Sequence, residues 1–245
     1  MATRRQFCRY PTLRVNDAVL DLPDWLPLFP LPNCVLLPRA ILPLHVFEER
    51  YRLMTRDVLA GDRMLAVALL KPCTQEQYLT LQAPIHSAVG VGRVVKVEHL
   101  QDGRFNFLLQ GVERVAVETE MTTGPYRRAR CRVIPTRDLE PGQECRILRE
   151  LRKQLSSPVL SAFSPLAKIS SVLDCCTFRL ADKLDAVASV VVSSCEEKQR
   201  ILELPCVAGR AELLFAALSR LESIARDGLN PPPTPHAPPR RDCMN

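Results

Sequence analysis

Residues 26–51 restrict the fold of this chain more than any other stretch, because proline recurs throughout them. The segment LPLFPLPNCVLLPRAILPLHVFEERY carries five prolines between short apolar runs. Proline has no N–H to donate to a central sheet ladder, and its ring fixes φ, so neither a long central strand nor a helix can pass through this segment. The stretch therefore predicts short edge strands and tight turns whose apolar side chains enter a core.

A helix is predicted directly after the last of these prolines. Phe47, Tyr51, Met54 and Val58 are spaced by four, three and four residues, which places them on one helix face. Gly61 follows, at the position where a left-handed glycine commonly ends a helix.

Strand signals dominate from there to about residue 136. Gly90 and Gly92 suggest a bulge or a close backbone approach, Asp102-Gly103 predicts a hairpin turn, and Gly111 is expected to break the returning strand. A sheet of five to seven mostly hairpin-linked strands with one helix favours a small barrel or half-barrel. The strands are expected at residues 64–70, 89–100, 104–110, 112–118 and 126–134.

The apolar period becomes helical after Pro135. Four helices are predicted, and Ser194 with Glu197 forms an S-x-x-E capping box at the start of the third. Gly228 is expected to stop the fourth. Strands followed by helices make the fold α+β, with a helical bundle beside the barrel. The third helix is expected at residues 196–204. The other three carry apolar stripes: Ile147 or Leu148 with Leu151 and Leu155 in the first, Leu180, Leu184, Val187 and Val191 in the second, and Leu214, Leu218, Leu221 and Ala225 in the fourth.

Composition gives the expected domain organisation. We predict a flexible leader at residues 1–21, a β subdomain at 22–136 and an α-helical subdomain at 137–227. Residues 228–245 are rich in proline with almost no apolar side chains, which predicts a disordered tail.

Composition also limits location and chemistry. No apolar run reaches the roughly 18–20 residues that a membrane helix needs, and the N-terminus lacks the apolar core of a secretory signal. We therefore expect a cytoplasmic protein with no membrane partner. The ten cysteines contain no C-x-x-C pair, so neither a disulfide framework nor a metal site is expected, and no cofactor is predicted.

Motifs for catalysis are absent from the sequence. There is no P-loop, no dinucleotide fingerprint and no G-x-S-x-G nucleophile elbow. A Cys–His hydrolase built on Cys34 and His45 stays open, since such partners meet in space and not in sequence. A hydrogen-bonded structural role is favoured for His45, and the role of a small apolar residue for most cysteines. Adjacent Cys175 and Cys176 are the one pair that merits attention.

The predicted strand at 126–134 is densely basic. Arg128, Arg130 and Arg132 share one face with Tyr126. An edge strand kept soluble by outward charge explains this pattern. Contact with RNA phosphates, next to an aromatic ring, is the functional alternative.

Three segments together resemble the Lon substrate-binding domain, the N-terminal domain of ATP-dependent Lon proteases. LPLFPLPNCVLLPRAILPLHVFEERYRLM is similar to the opening motif of that domain. VGVGRVVKVEHLQDGRFNFLLQGVERVAV, residues 89–117, resembles its central hairpin, with a Gly-x-Val strand, an Asp-Gly turn and an L-x-x-G-x-x-R return. FRLADKLDAVA and EEKQRILELPCVAGRAELLFAALSRL resemble its helical half. The resemblance covers about residues 22–227.

This resemblance implies a PUA-like β pseudo-barrel with one inserted helix, followed by a helical bundle, and it implies recognition of protein substrates. Nothing corresponds to the ATPase or Ser–Lys peptidase domains of the proteases. We therefore expect a stand-alone N-domain protein that is not an enzyme. The leading hypothesis is a module that binds unfolded or tagged polypeptide clients and passes them to a protease or chaperone. The alternative is an RNA-binding protein that uses Arg128, Arg130 and Arg132. The residues that contact a client are not identified by the sequence.

Overall fold

The structure is a computed structural model, and it describes residues 21–72, 74–78, 80–137, 139–161 and 169–229. The predicted leader, except residue 21, and the predicted tail beyond residue 229 lie outside the described residues.

Six strands and eight helices are described in these ranges. The strands are β1 (Leu26–Leu31), β2 (Ile41–Val46), β3 (Met64–Leu69), β4 (Ala88–His99), β5 (Phe105–Met121) and β6 (Arg128–Val133). The helices are α1 (Glu49–Ala60), α2 (Gln75–Tyr78), α3 (Gln143–Leu155), α4 (Pro158–Ser161), α5 (Ile169–Leu173), α6 (Leu180–Val191), α7 (Cys195–Glu203) and α8 (Val207–Leu229). The fold is α+β, as predicted.

Five of the strands close into a ring. β1 pairs in parallel with β3 and antiparallel with β6, while β3–β4, β4–β5 and β5–β6 are antiparallel. β2 lies outside the ring and pairs with the first half of β5, from Phe105 to Gln110. The predicted barrel is confirmed. The idea that the basic strand is an edge is wrong, because β6 has β1 on one side and β5 on the other.

Three apolar cores hold the chain together. Small and branched side chains such as Ala66, Ala68 and Val91 fill the barrel interior. A second core lies between α1, which contributes Met54 and Val58, and the sheet formed by β2, β5 and β4. The third unites the helices, and the linker after β1 inserts Val35 and Leu37 into it. The proline-rich stretch thus joins the barrel to the helical half.

Two glycines let this linker lie directly on the sheet. A Cβ on Gly90 would come 1.9 Å from the carbonyl oxygen of Leu36, and one on Gly111 would come 2.1 Å from that of Leu37. The predicted close approach at Gly90 is confirmed, as is a register shift between Val91 and Gly92. The predicted break at Gly111 is wrong: β5 runs through this residue, whose missing side chain makes room for the linker.

The helix predictions are confirmed in place, with five differences in detail. Gly61 ends α1 through its N–H to the Asp57 oxygen at 3.1 Å, but its φ is −105°, so it is not left-handed. Phe47 precedes α1 and is 61% exposed, so it does not join the buried face. Gly228 lies within α8, and the short helices α2, α4 and α5 are not predicted by the apolar pattern. The Ser194 hydroxyl accepts the Glu197 N–H as a cap, whereas the Glu197 carboxylate pairs with Arg220.

Candidate functional site

One face of a three-stranded sheet is uncovered in the part of the chain that the structure describes. The sheet consists of β2, the first half of β5 and the second half of β4. Its other face packs against α1 through Val46, Phe105 and Phe107. We call the uncovered side the open face. By strand register it carries Ile41, Pro43 and His45 on β2, Gln110, Leu108 and Asn106 on β5, and Arg93, Lys96 and Glu98 on β4.

A groove of about 320 Å³ lies on the open face. Its apolar lining comes mainly from Pro43 and Leu108, and its polar lining from His45, Asn106, Lys96 and Glu98. A bulge between Val94 and Lys96 shifts the register of β4. Val94 is buried below the sheet while Arg93 and Lys96 are both exposed, so the extra residue brings a second cation onto the open face.

Three polar side chains of the groove, His45, Asn106 and Glu98, form a hydrogen-bonded chain with Arg104. The Arg104 guanidinium lies 3.4 Å from His45 Nε2, and a guanidinium only donates, so Nε2 is the acceptor. His45 Nδ1 therefore carries the proton and donates to Asn106 Oδ1 at 2.7 Å. The Asn106 amide donates to Glu98 Oε2 at 3.1 Å. The predicted hydrogen-bonded role of His45 is confirmed, but its side chain is exposed.

The open face ends at an unpaired strand edge. The Ala40 carbonyl accepts the Gly111 N–H at 2.8 Å, and backbone groups alternate along a strand, so Leu42 and Leu44 face β5. The backbones of Ile41, Pro43 and His45 point away from the sheet, where no described strand pairs with them. Pro43 lacks an N–H, so this edge offers carbonyls and only two outward donors.

Apolar side chains surround this edge. Ile41 is 42% and Phe47 61% exposed, and the Phe47 ring stacks near His45 with centroids 6.1 Å apart. Large exposed apolar groups at one edge mark an interaction site more often than isolated ones do.

The three arginines predicted as a basic face are exposed on β6, but each has a neighbour. Arg128 lies over the Tyr126 ring and donates to its hydroxyl at 2.9 Å. Arg130 lies over Trp25 with 5.6 Å to the ring centroid. Arg132 pairs with Glu118 at 3.1 Å. The prediction that Tyr126 shares the exposed face is wrong, because Tyr126 is 2% exposed and donates to Asp57 at 2.6 Å.

The second half of β5 carries a buried ionic cluster. Arg114 and Arg210 are each 1% exposed, and both pair with Asp185 of α6. Arg114 also donates to the carbonyls of Ile201 and Leu202 at 2.9 and 3.2 Å, at the end of α7. We call this cluster the barrel–helix junction, because it ties β5 to three helices.

Burial dominates the electrostatics of the junction. It raises the pKa of the Asp185 carboxyl, and the neighbouring guanidiniums of Arg114 and Arg210 act in the opposite direction. Burial also lowers the pKa of Arg210 to about 10, which leaves it charged at neutral pH. The cluster is a structural tie rather than an exposed site.

The pairing of Cys34 with His45 finds no support among the contacts. Burial raises the pKa of the Cys34 thiol to about 11, whereas a nucleophilic cysteine needs a lowered pKa. The hydrogen bonds of His45 go to Asn106 and Arg104 instead. Cys175 lies near the Thr177 hydroxyl at 3.1 Å, and both it and Cys176 are free thiols.

The described residues lack a metal-binding cluster and a membrane-spanning helix. They contain no cluster of three or more side chains suited to hold a metal ion. None of their helices is both long and apolar enough to cross a membrane.

Sequence reasoning missed most of the residues in these two sites. Lys96, Glu98 and Asn106 belong to no motif, and simple strand alternation would place Lys96 on the same face as Val94, which is buried below the sheet. Arg114 is the arginine of the L-x-x-G-x-x-R segment, so a motif did mark it, but its partners Asp185 and Arg210 are remote in the sequence.

Comparisons with known proteins point in one direction. The family profile described as the ATP-dependent protease La (LON) substrate-binding domain matches residues 25–220. A Lon protease 2 from Syntrophobacter fumaroxidans is 31% identical over 75% of this chain and 23% of its own length. A Lon protease from Anaeromyxobacter dehalogenans is 25% identical over 88% of this chain and 25% of its length. The chain thus spans about a quarter of these curated relatives.

Solved structures support the same fold. A crystal structure of a Lon N-terminal domain protein from Xanthomonas campestris covers 78% of this chain and 97% of its own, at 22% identity and a TM-score of 0.55. The N-terminal domain of a Mycobacterium avium complex Lon protease covers 80% of this chain and 98% of its own, at 14% identity and a TM-score of 0.61.

Proposed function

Because this chain belongs to the family of Lon substrate-binding domains, we propose that it is a non-catalytic module that binds unfolded or tagged polypeptide segments. In this role it holds clients and delivers them to a protease or chaperone. The family description supports substrate recognition, while the delivery step is our extension of it.

The open face is the observation that carries this proposal. It combines an apolar groove, an unpaired strand edge and the exposed side chains of Ile41 and Phe47. Unfolded chains expose apolar side chains and unpaired backbone groups together, and an exposed sheet edge with neighbouring apolar pockets accepts both. The open face therefore fits an extended polypeptide better than a compact ligand.

Fluorescence anisotropy with labelled, reduced and carboxymethylated model proteins tests the proposal. We expect saturable binding, and we expect Phe47→Asp to weaken it by about tenfold or more, as loss of an aromatic anchor does. Ile224→Asp is the matched control, because Ile224 is 68% exposed on α8, away from the open face. Failure to bind several unfolded proteins, or equal losses in the two variants, would contradict the proposal.

Absence of catalysis is the second part of the proposal. The raised pKa of Cys34 supports it, as does the match to a substrate-binding domain alone. Incubation with casein, with and without ATP, should release no peptides. Release that persists in the Cys34→Ala variant would point to another catalytic group, and release lost in that variant would establish a cysteine hydrolase.

RNA binding through β6 is the competing proposal. Arg128 and Arg130 make no ion pair with a described residue, which favours it, but Arg132 is paired with Glu118. RNA binding would be salt-dependent and would fall when all three arginines are changed to alanine. Binding of single-stranded RNA that this triple variant abolishes would favour this alternative.

A further inference from the structure

Among the residues that the structure describes, each charged side chain on the groove side of the open face has a hydrogen-bond or ion-pair partner except Lys96. Arg104 pairs with Asp102 in the hairpin turn. Glu98 accepts the amide of Asn106, which accepts the proton of His45. Arg93 lies beside the Met64 sulfur at 3.7 Å. Lys96 is exposed in the groove lining and makes no ion pair with any residue that the structure describes.

The surroundings of Lys96 are apolar on one side. Strand register places Leu108 opposite Lys96, and Pro43 opposite Leu108. A ligand that fills this row meets two apolar side chains and then an ammonium group. Glu98, the nearest acidic residue along β4, accepts the Asn106 amide and makes no ion pair with Lys96.

We propose that the open face selects extended polypeptide segments in which an aspartate or glutamate side chain lies next to apolar residues. The carboxylate pairs with Lys96 while the apolar residues cover Pro43 and Leu108. This inference rests on the proposed polypeptide-binding function and specifies the class of segment bound. Segments with a lysine or arginine at the same place are disfavoured, because like charges repel.

A side-chain carboxylate fits this site better than the C-terminal carboxylate of a client. Capture of a chain terminus relies on a cradle of backbone N–H groups. The first half of β5 lies between β2 and β4, so its backbone N–H groups are engaged in the two ladders. The segment therefore runs across the face and continues beyond it at both ends.

Three labelled peptides test the inference by anisotropy. They share one apolar, unstructured sequence of twelve residues with an amidated C-terminus, and differ only in a central Glu, Gln or Lys. For the unaltered protein we expect the Glu peptide to bind about threefold to tenfold more tightly than the Gln peptide, and the Lys peptide to bind most weakly. The Glu advantage should shrink between 50 and 500 mM salt.

Substitutions of Lys96 test whether its ammonium group causes the preference for the Glu peptide. Lys96→Gln should remove the difference between the Glu and Gln peptides, and Lys96→Glu should reverse the order of Glu and Lys. Lys71→Gln is the matched control, since Lys71 is an exposed lysine in the loop after β3, and it should leave the order unchanged. Circular dichroism confirms that each variant is folded.

The outcomes separate this inference from the function on which it rests. Equal binding of the three peptides, or a Glu preference that survives in Lys96→Gln, overturns the inference and leaves polypeptide binding intact. Failure of every peptide and of unfolded proteins to bind overturns both.

Discussion

The open face and the barrel–helix junction are built on the same β4–β5 hairpin, yet they use polar side chains in opposite ways. On the open face, His45, Asn106 and Glu98 form an exposed chain in which each group has one or two partners. At the junction, Arg114 alone donates to a carboxylate and to backbone carbonyls of a helix end, with almost no exposure.

This difference separates residues that hold the fold from residues that are free to bind. Removal of one member of a buried ion cluster strongly destabilises the protein, because the remaining charges stay buried without their partner. Exposed hydrogen bonds exchange with water at little cost. The hairpin therefore has one half that is tied to the helices and one half that tolerates change, and the half on the open face is the one offered to a ligand.

Arg114→Met should give the largest effect on stability. It leaves Asp185 with Arg210 alone and the carbonyls at the end of α7 without their donor. We expect a loss of about 3–5 kcal/mol in the free energy of unfolding, measured by urea denaturation. Arg132→Met removes an exposed pair with Glu118 and should cost at most about 1 kcal/mol. Equal losses in the two variants would contradict the distinction drawn here.

Gly90→Ala tests the contact next to the junction, where Gly90 pairs with Arg114 across the ladder. The added Cβ would meet the Leu36 carbonyl oxygen at 1.9 Å, so either the linker or the strand has to move. We expect a loss of about 1–3 kcal/mol by urea denaturation. Gly209→Ala is the control, because its Cβ would meet only Leu204 at 3.6 Å, inside a helix, and it should stabilise by about 0.5–1 kcal/mol.

The alkylation rate of Cys34 tests burial of the linker, to which this residue belongs. Burial raises the pKa of Cys34 to about 11, and the thiolate is the reactive form. The thiol stays protonated below that pH, so its rate with iodoacetamide should keep rising with pH through about 10. At pH 8, mass spectrometry should show Cys34 reacting at least about tenfold more slowly than the exposed Cys145. A Cys34 rate that has already levelled off at pH 8 would instead indicate an activated thiol.

His45→Ala should have the smallest effect. It removes one side chain from an exposed polar chain, and Asn106 and Arg104 can then bond to water. We expect a change of less than about 0.5 kcal/mol in the free energy of unfolding. A loss comparable to that of Arg114→Met would show that the open face is part of the structural framework.

Local patterns in the sequence are sufficient to predict the helices and strands, but not the closure of the strands into a barrel. The stripe of Leu180, Leu184 and Val187 placed α6 correctly, since helix periodicity is a property of the segment itself. β6 pairs with both β1 and β5. β1 lies about 100 residues before β6 in the sequence, so no local pattern predicts that the two strands are neighbours. The basic strand was therefore mistaken for an edge.

The sequence predicts the region in which the open face lies, but not the residues that form its groove. The prolines indicated irregular edges, and β2 is such an edge. The identity of the groove residues depends on which strands are neighbours: His45 meets Asn106 at a separation of 61 residues, and a bulge decides that Lys96 lies on the open face. Gly111 was interpreted as a break because the linker that crosses it is not visible in the sequence around it.

Pro43 has a further consequence for how copies of this protein meet one another. An unprotected strand edge invites the same edge of a second molecule, and repeated pairing of this kind leads to aggregation. Pro43 faces outward in the middle of β2 without an N–H, so a second β2 cannot form a continuous ladder with it. The same proline also lines the groove. One residue thus disfavours repeated pairing of β2 edges and at the same time lines the face that is open to other chains.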